Sequence, residues 1–97
     1  MLETVLKAID NLLSIIEQYK IKNIHPQVED LKYLKQSLNT NNEFSTREKI
    51  TLYQELFPPR GGLSDIHYWN NDFETRKTVN AVISDSTNTI ADYLLER

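Results

Sequence analysis

Residues 1–22 read MLETVLKAIDNLLSIIEQYKIK, a run in which large apolar side chains recur every three or four positions. That spacing places them on one face of an α-helix. The stripe consists of Leu2, Val5, Leu6, Ile9, Leu12, Leu13, Ile16 and Tyr19. Charged and amide side chains fill the opposite face, and neither proline nor glycine interrupts the run. The pattern predicts a long amphipathic first helix over residues 1–22.

Two shorter helices are predicted next. Pro26 suits the first turn of a helix over residues 26–39, because its missing N–H group has no partner there in any case. Ser45 and Glu48 match the capping-box pattern, which predicts the start of a third helix over residues 45–57. The paired prolines that follow end it. The inner faces of these helices carry Val28, Leu31, Leu34, Leu38, Ile50, Tyr53, Leu56 and Phe57.

A fourth helix is predicted over residues 71–96, where Asn71 and Glu74 repeat the capping pattern. Residues 84–89 are weak helix formers, which leaves open whether this helix is continuous. Packing against the first helix would have to stabilise that segment. The predicted stripe consists of Phe73, Arg76, Val79, Asn80, Ile83, Thr87, Ile90 and Leu94.

These elements predict an all-α, single-domain fold for the 97 residues. The first and last helices would pack antiparallel, and the two shorter helices would cover them. The result is a four-helix bundle or array with a long structured loop, residues 58–70, between the third and fourth helices.

Composition argues against several classes of function. The net charge is −3 and the basic residues are scattered among acidic ones, whereas a nucleic-acid binder shows a basic face. There is no cysteine, which excludes disulfides and thiolate metal sites. No window approaches the roughly 18 apolar residues of a membrane-spanning helix. We therefore expect a soluble cytoplasmic protein that binds neither nucleic acid nor membrane.

The loop holds both glycines, two of the three prolines, the only tryptophan and one of the two histidines. A long connection in a small domain is usually functional or disordered, and this one is too rich in large apolar groups for disorder. We interpret it as a surface that binds another protein, or a second copy of the chain. The expected contact residues are Arg60, His67, Tyr68 and Trp69.

A second set of residues is expected to hold the loop in place. Arg76 falls on the apolar stripe of the last helix and therefore needs an acceptor, for which Asp65 is the candidate. Asp72 lies four residues before Arg76, the spacing of an ion pair within a helix. The predicted supporting residues are Gly61, Gly62, Asp65, Asp72, Arg76 and Asn80.

Two alternatives stay open. In one, Leu63, Ile66 and Trp69 plug the open end of the core, and the protein is a structural homodimer. In the other, Asp65, His67 and Asp72 form a small metal-dependent or hydrolytic site, although no further feature of the sequence supports it. The sequence favours a non-enzymatic protein and predicts no catalytic residue, metal or cofactor.

Residues 56–65, LFPPRGGLSD, continue through Trp69 to Arg76 and Asn80. This pattern resembles a group of small uncharacterised bacterial helical proteins, a domain of unknown function. In that group a Gly-Gly-Leu-Ser-Asp turn precedes an apolar–Trp segment and a last helix with an Arg and an Asn. The resemblance implies no established chemistry. By analogy with other small acidic helical proteins, it implies an immunity- or antitoxin-like protein that acts by binding a partner.

Overall fold

A computed structural model describes residues 2–40 and 43–97. The helices are α1 (Leu2–Gln18), α2 (His25–Asn39), α3 (Thr46–Leu56) and α4 (Phe73–Leu94), with a single 3-10 turn at Leu63–Asp65. Within these two ranges the backbone forms no strand. The predicted all-α, four-helix fold is confirmed.

Each helix packs against two others, so the four close into a bundle. The most extensive pairing is between α1 and α4. Val5, near the start of α1, lines a cleft together with Tyr93, near the end of α4. At the opposite end, the Tyr19 ring follows α1 and lies 4.6 Å from the ring of Tyr68, which precedes α4. The two long helices are therefore antiparallel, as the sequence predicted.

The last helix is continuous through residues 84–89. Ser86 and Thr87 are buried against the core. The hydroxyl groups of Thr87 and Thr89 donate to carbonyl oxygens three and four residues earlier in the helix, at 3.1 and 3.0 Å. Such bonds let weak helix formers satisfy their polar atoms without leaving the helix. Tertiary packing therefore stabilises the helical conformation of residues 84–89.

The first helix ends at Gln18, so the predicted end at residue 22 is wrong. Lys20 adopts a left-handed conformation with φ of 52°. The Ile21 amide donates to the Ile16 carbonyl at 3.0 Å, and the Lys20 amide donates to the Glu17 carbonyl at 3.4 Å. This is a Schellman closure, which usually has glycine at the left-handed position. Lysine at that position provides no such signal in the sequence.

Of the two N-terminal capping patterns predicted from the sequence, one is confirmed and one is wrong. The Ser45–Glu48 capping box is confirmed, with both reciprocal bonds at 3.1 Å. The pattern at Asn71 is wrong, because the N-cap residue is Asp72, whose carboxylate accepts from the Thr75 amide at 3.3 Å. Hydrogen bonds from Thr75 lower the pKa of Asp72.

Three apolar residues expected on inner faces are exposed, of which Leu2, in the first turn of α1, is 45% exposed. Ile50 is 43% exposed, and Leu52 is buried in its place. Leu52 and Leu56 lie one turn apart, and both face the core from α3. Phe73 is 57% exposed.

Among the described helices, none combines the length and apolar character that crossing a bilayer requires.

The two glycines of the loop allow a matched test. Gly62 has φ of 71° and ψ of −161°, a region that only glycine occupies readily. A Cβ atom there would meet the Leu56 carbonyl oxygen at 2.8 Å and collide with the Pro58 ring. We expect Gly62→Ala to lower the free energy of unfolding by about 2–5 kcal/mol in urea titrations.

The control is Gly61→Ala, since Gly61 has a similar φ of 74° but open space around a new Cβ. Its cost should be only the backbone strain, about 1–2 kcal/mol. Equal losses in the two variants would show that the contact with Pro58 and Leu56 does not constrain the loop.

Candidate functional site

The loop between α3 and α4 is anchored in the core. Leu63 is only 1% exposed and belongs to the main apolar cluster, and Ile66 packs against that cluster. The Asp65 carboxylate accepts the Gly61 amide and so closes the glycine turn on itself. The part of the core-plug interpretation that concerns Leu63 and Ile66 therefore agrees with the structure.

Asn80 of α4 holds the backbone of the loop at Tyr68. The Tyr68 amide donates to Asn80 Oδ1 at 2.9 Å, and Asn80 Nδ2 donates to the Tyr68 carbonyl oxygen at 2.9 Å. Asn80 Nδ2 also donates to the Arg76 carbonyl oxygen at 3.0 Å. The side-chain amide thus pairs with both backbone polar groups of Tyr68, as the edge of a neighbouring strand would.

Tyr68 is half-buried with its ring turned towards the protein, and its predicted role as a contact residue stays a prediction. Its ring packs on Tyr19, and its hydroxyl accepts from Asn70 Nδ2 at 3.0 Å. Asn70 Oδ1 in turn accepts from the Asp72 amide at 2.7 Å, which links the loop to the start of α4. Tyr68 therefore supports the loop, because its polar tip and its ring both have partners within the protein.

Beside this inward tyrosine, two aromatic rings face solvent. Trp69 is 66% exposed, so the expectation that it plugs the core is wrong, and Phe73 is 57% exposed. The Arg76 guanidinium carbon lies 4.3 Å from the centroid of the Trp69 ring and 5.4 Å from that of Phe73. We call these three residues the aromatic–arginine patch. One guanidinium therefore lies within cation–π distance of both exposed rings.

The predicted ion pairs of Arg76 are not formed. Asp65 is bonded to Gly61 and Asp72 caps α4. In the described ranges no acidic group lies within 4.0 Å of the Arg76 guanidinium. The guanidinium lies instead against Trp69 of the loop and against Phe73, three residues before it in α4.

Arg60 and His67 are both exposed, as a contact role requires. His67 and Trp69 line a cleft of about 480 Å³ between the loop and the α1–α2 connection, with Lys20 and Lys22 on its other side. Asp65, His67 and Asp72 do not assemble a metal site. No group of three potential ligands is found in the ranges 2–40 and 43–97.

A second feature was missed from the sequence, a groove of about 460 Å³ between α2 and α3. Asp30 and Glu55 lie in it. Burial, followed by the charge of Glu55 and a hydrogen bond with it, raises the pKa of Asp30 to about 6. No local pattern signals this pair, because its members lie on different helices.

Comparison of the chain with protein-family models, with curated proteins and with solved structures found no match. The resemblance to small bacterial helical proteins therefore stays a prediction.

The Asn80 bonds predict a specific loss. Asn80→Ala leaves the Tyr68 amide and carbonyl without their partners in a partly buried position. We expect the free energy of unfolding to fall by about 1–3 kcal/mol in urea titrations followed by circular dichroism. The control is Asn88→Ala, an exposed asparagine on the same helix, for which a small gain from helix propensity and no loss is expected. Comparable losses in both variants would contradict the role given to Asn80.

The raised pKa of Asp30 predicts the sign of a pH effect. The folded protein binds this proton more tightly than the unfolded chain does, since the ordinary pKa is 3.8. Its contribution to stability is complete below pH 3.8 and is lost as pH rises to about 6. Relative to Asp30→Asn, the natural protein should lose stability across that window. Urea midpoints of both proteins at several pH values measure this.

Asp72→Asn serves as the control of opposite sign, because the pKa of Asp72 is lowered. The contribution of the Asp72 carboxylate to the stability of the fold is present above its ordinary pKa and is lost as pH falls. A constant difference between the natural protein and Asp30→Asn from pH 4 to 6 would contradict the interpretation of the Asp30–Glu55 pair.

Proposed function

We propose that this chain is a non-enzymatic protein-binding module, and that its contact surface is the aromatic–arginine patch with His67 and Arg60 at the margin. The observation that carries the proposal is the exposure of Trp69 and Phe73 on either side of Arg76. Tryptophan and arginine are among the residue types that dominate binding energy at protein interfaces. A partner that covers the two rings would remove a large apolar area from water.

The residues that hold the aromatic–arginine patch in place favour its binding to a partner protein. Trp69 directly follows Tyr68, whose backbone is held by Asn80 and whose ring packs on Tyr19. Phe73 and Arg76 belong to the first turn of α4, which Asp72 caps. The patch therefore loses little conformational freedom on binding, and this raises affinity without new contacts.

The biological setting we propose is narrower. An immunity- or antitoxin-like role in the bacterial cytoplasm is suggested by the resemblance of residues 56–80 and by the net charge of −3. An acidic surface favours a basic partner protein through steering and complementarity. His67 and Arg60 would then contribute polar contacts at the rim.

The test removes the rings one at a time. Trp69→Ala and Phe73→Ala should each abolish capture of the partner from a lysate of the source organism, with the fold retained by circular dichroism. Each truncation is expected to cost about 2 kcal/mol or more of binding free energy. The control is Ile50→Ala, another exposed apolar residue on a different helix, which should capture the partner normally.

Analytical ultracentrifugation on the same variants tests self-association. A dimer that forms with rising concentration and is lost in Trp69→Ala would identify a second copy as the partner. If both ring variants capture the same proteins as the natural chain and sediment identically, the patch is not a binding surface.

A further inference from the structure

The groove between α2 and α3 lies on a different face of the bundle from the aromatic–arginine patch. Its walls include Tyr33, which is 53% exposed, and Phe44, and the two rings meet edge to face with centroids 6.0 Å apart. Leu52 contributes buried apolar surface. The Asp30 and Glu55 carboxylates line the same groove. Aromatic walls beside carboxylates match an apolar chain that ends in a cation.

The carboxylates of Asp30 and Glu55 have no cation of their own. In the described ion pairs of the chain, neither of them takes part. The groove also contains Glu48, but its carboxylate already accepts the Ser45 amide in the capping box. Arg47 lies two turns before Glu55 on α3, about 12 Å along the helix axis. Two like charges held together need a proton or a bound cation.

We propose that this groove binds a primary alkylammonium group, either the side chain of a lysine in another polypeptide or a free alkylamine. The methylene chain lies along Tyr33, Phe44 and Leu52. The ammonium group, with three N–H donors, takes Asp30 and Glu55 as acceptors and lies near the face of Tyr33. A metal ion fits less well, since the groove's third acid, Glu48, caps α3, and within the described ranges no three acidic or imidazole side chains come together as a metal-binding group.

Binding is coupled to protons, because the ammonium group and a proton compete for the same carboxylate oxygens. The pKa of Asp30 is raised to about 6, chiefly by burial and then by Glu55. The other ionisable groups that line the groove are Arg47, Glu48 and Tyr33, and the Glu48 carboxylate already accepts the Ser45 amide. Affinity should therefore rise about tenfold between pH 5 and pH 7.

The experiment is a titration of ¹⁵N-labelled protein with n-butylammonium chloride, followed by amide chemical shifts at constant ionic strength. A parallel arm uses Nα-acetyl-lysine methylamide, and sodium chloride serves as the blank. We expect saturable shifts confined to amides of α2 and α3 around the groove. If both ammonium compounds bind, the site accepts a lysine of a polypeptide. If only n-butylammonium binds, it selects a free amine.

Three variants and one control define the outcome. Asp30→Asn and Glu55→Gln should each weaken binding by about tenfold or more, through loss of a charge-assisted bond. Tyr33→Ala should weaken it about three- to fivefold. The control is Glu29→Gln, an exposed acid on α2 outside the groove, which should bind normally. The proposal is overturned if the natural protein shows no saturable shifts. It is also overturned if the carboxylate variants bind as well as the natural protein, or if Glu29→Gln loses as much affinity as they do.

Discussion

The apolar faces of α1 and α4 pack against each other in antiparallel orientation, and the other elements are placed relative to that pair. Ile9, Leu12 and Ile90 are completely buried at this contact and in the adjoining core. The pairing also supports a segment of α4 that is a weak helix former by itself, with Ser86 and Thr87 turned inward. Because α4 is continuous, Asn80 and Arg76 project from a rigid element towards the loop.

That rigidity connects the fold to the proposed surface. Asn80 fixes the backbone of Tyr68, Tyr68 turns inward, and the next residue, Trp69, is consequently turned outward. The two backbone bonds from Asn80 hold Tyr68 in place, and its ring packs on Tyr19 while the adjacent Trp69 is exposed. Arg76 then spaces the two exposed rings. The exposure of Trp69 therefore follows from the way in which the neighbouring residues hold the loop.

The sequence predicted what depends on local pattern. The four helices follow from apolar periodicity, and the Ser45–Glu48 cap follows from a motif four residues long. Prediction from the sequence failed where the conformation depends on residues far apart in the chain or on a residue type that gives no local signal. The end of α1 uses Lys20 in a conformation typical of glycine, so no residue type announced it.

The candidate sites show the same division. The need of Arg76 for a partner could be inferred from its position on an apolar stripe. Which partner it takes depends on the path of the loop, which brings aromatic rings to the guanidinium and directs Asp65 to Gly61. The pairing of Asp30 with Glu55 requires α2 and α3 to be placed side by side, and only the tertiary structure supplies that placement.

The antiparallel arrangement of α1 and α4 also has a practical consequence. Thr4 and Arg97 line one cleft at the end of the bundle opposite the Tyr19–Tyr68 contact. Thr4 and Arg97 therefore lie close to each other in space. A short covalent bridge between residues 4 and 97 would be geometrically undemanding, which makes the α1–α4 pair suited to cross-linked or permuted forms.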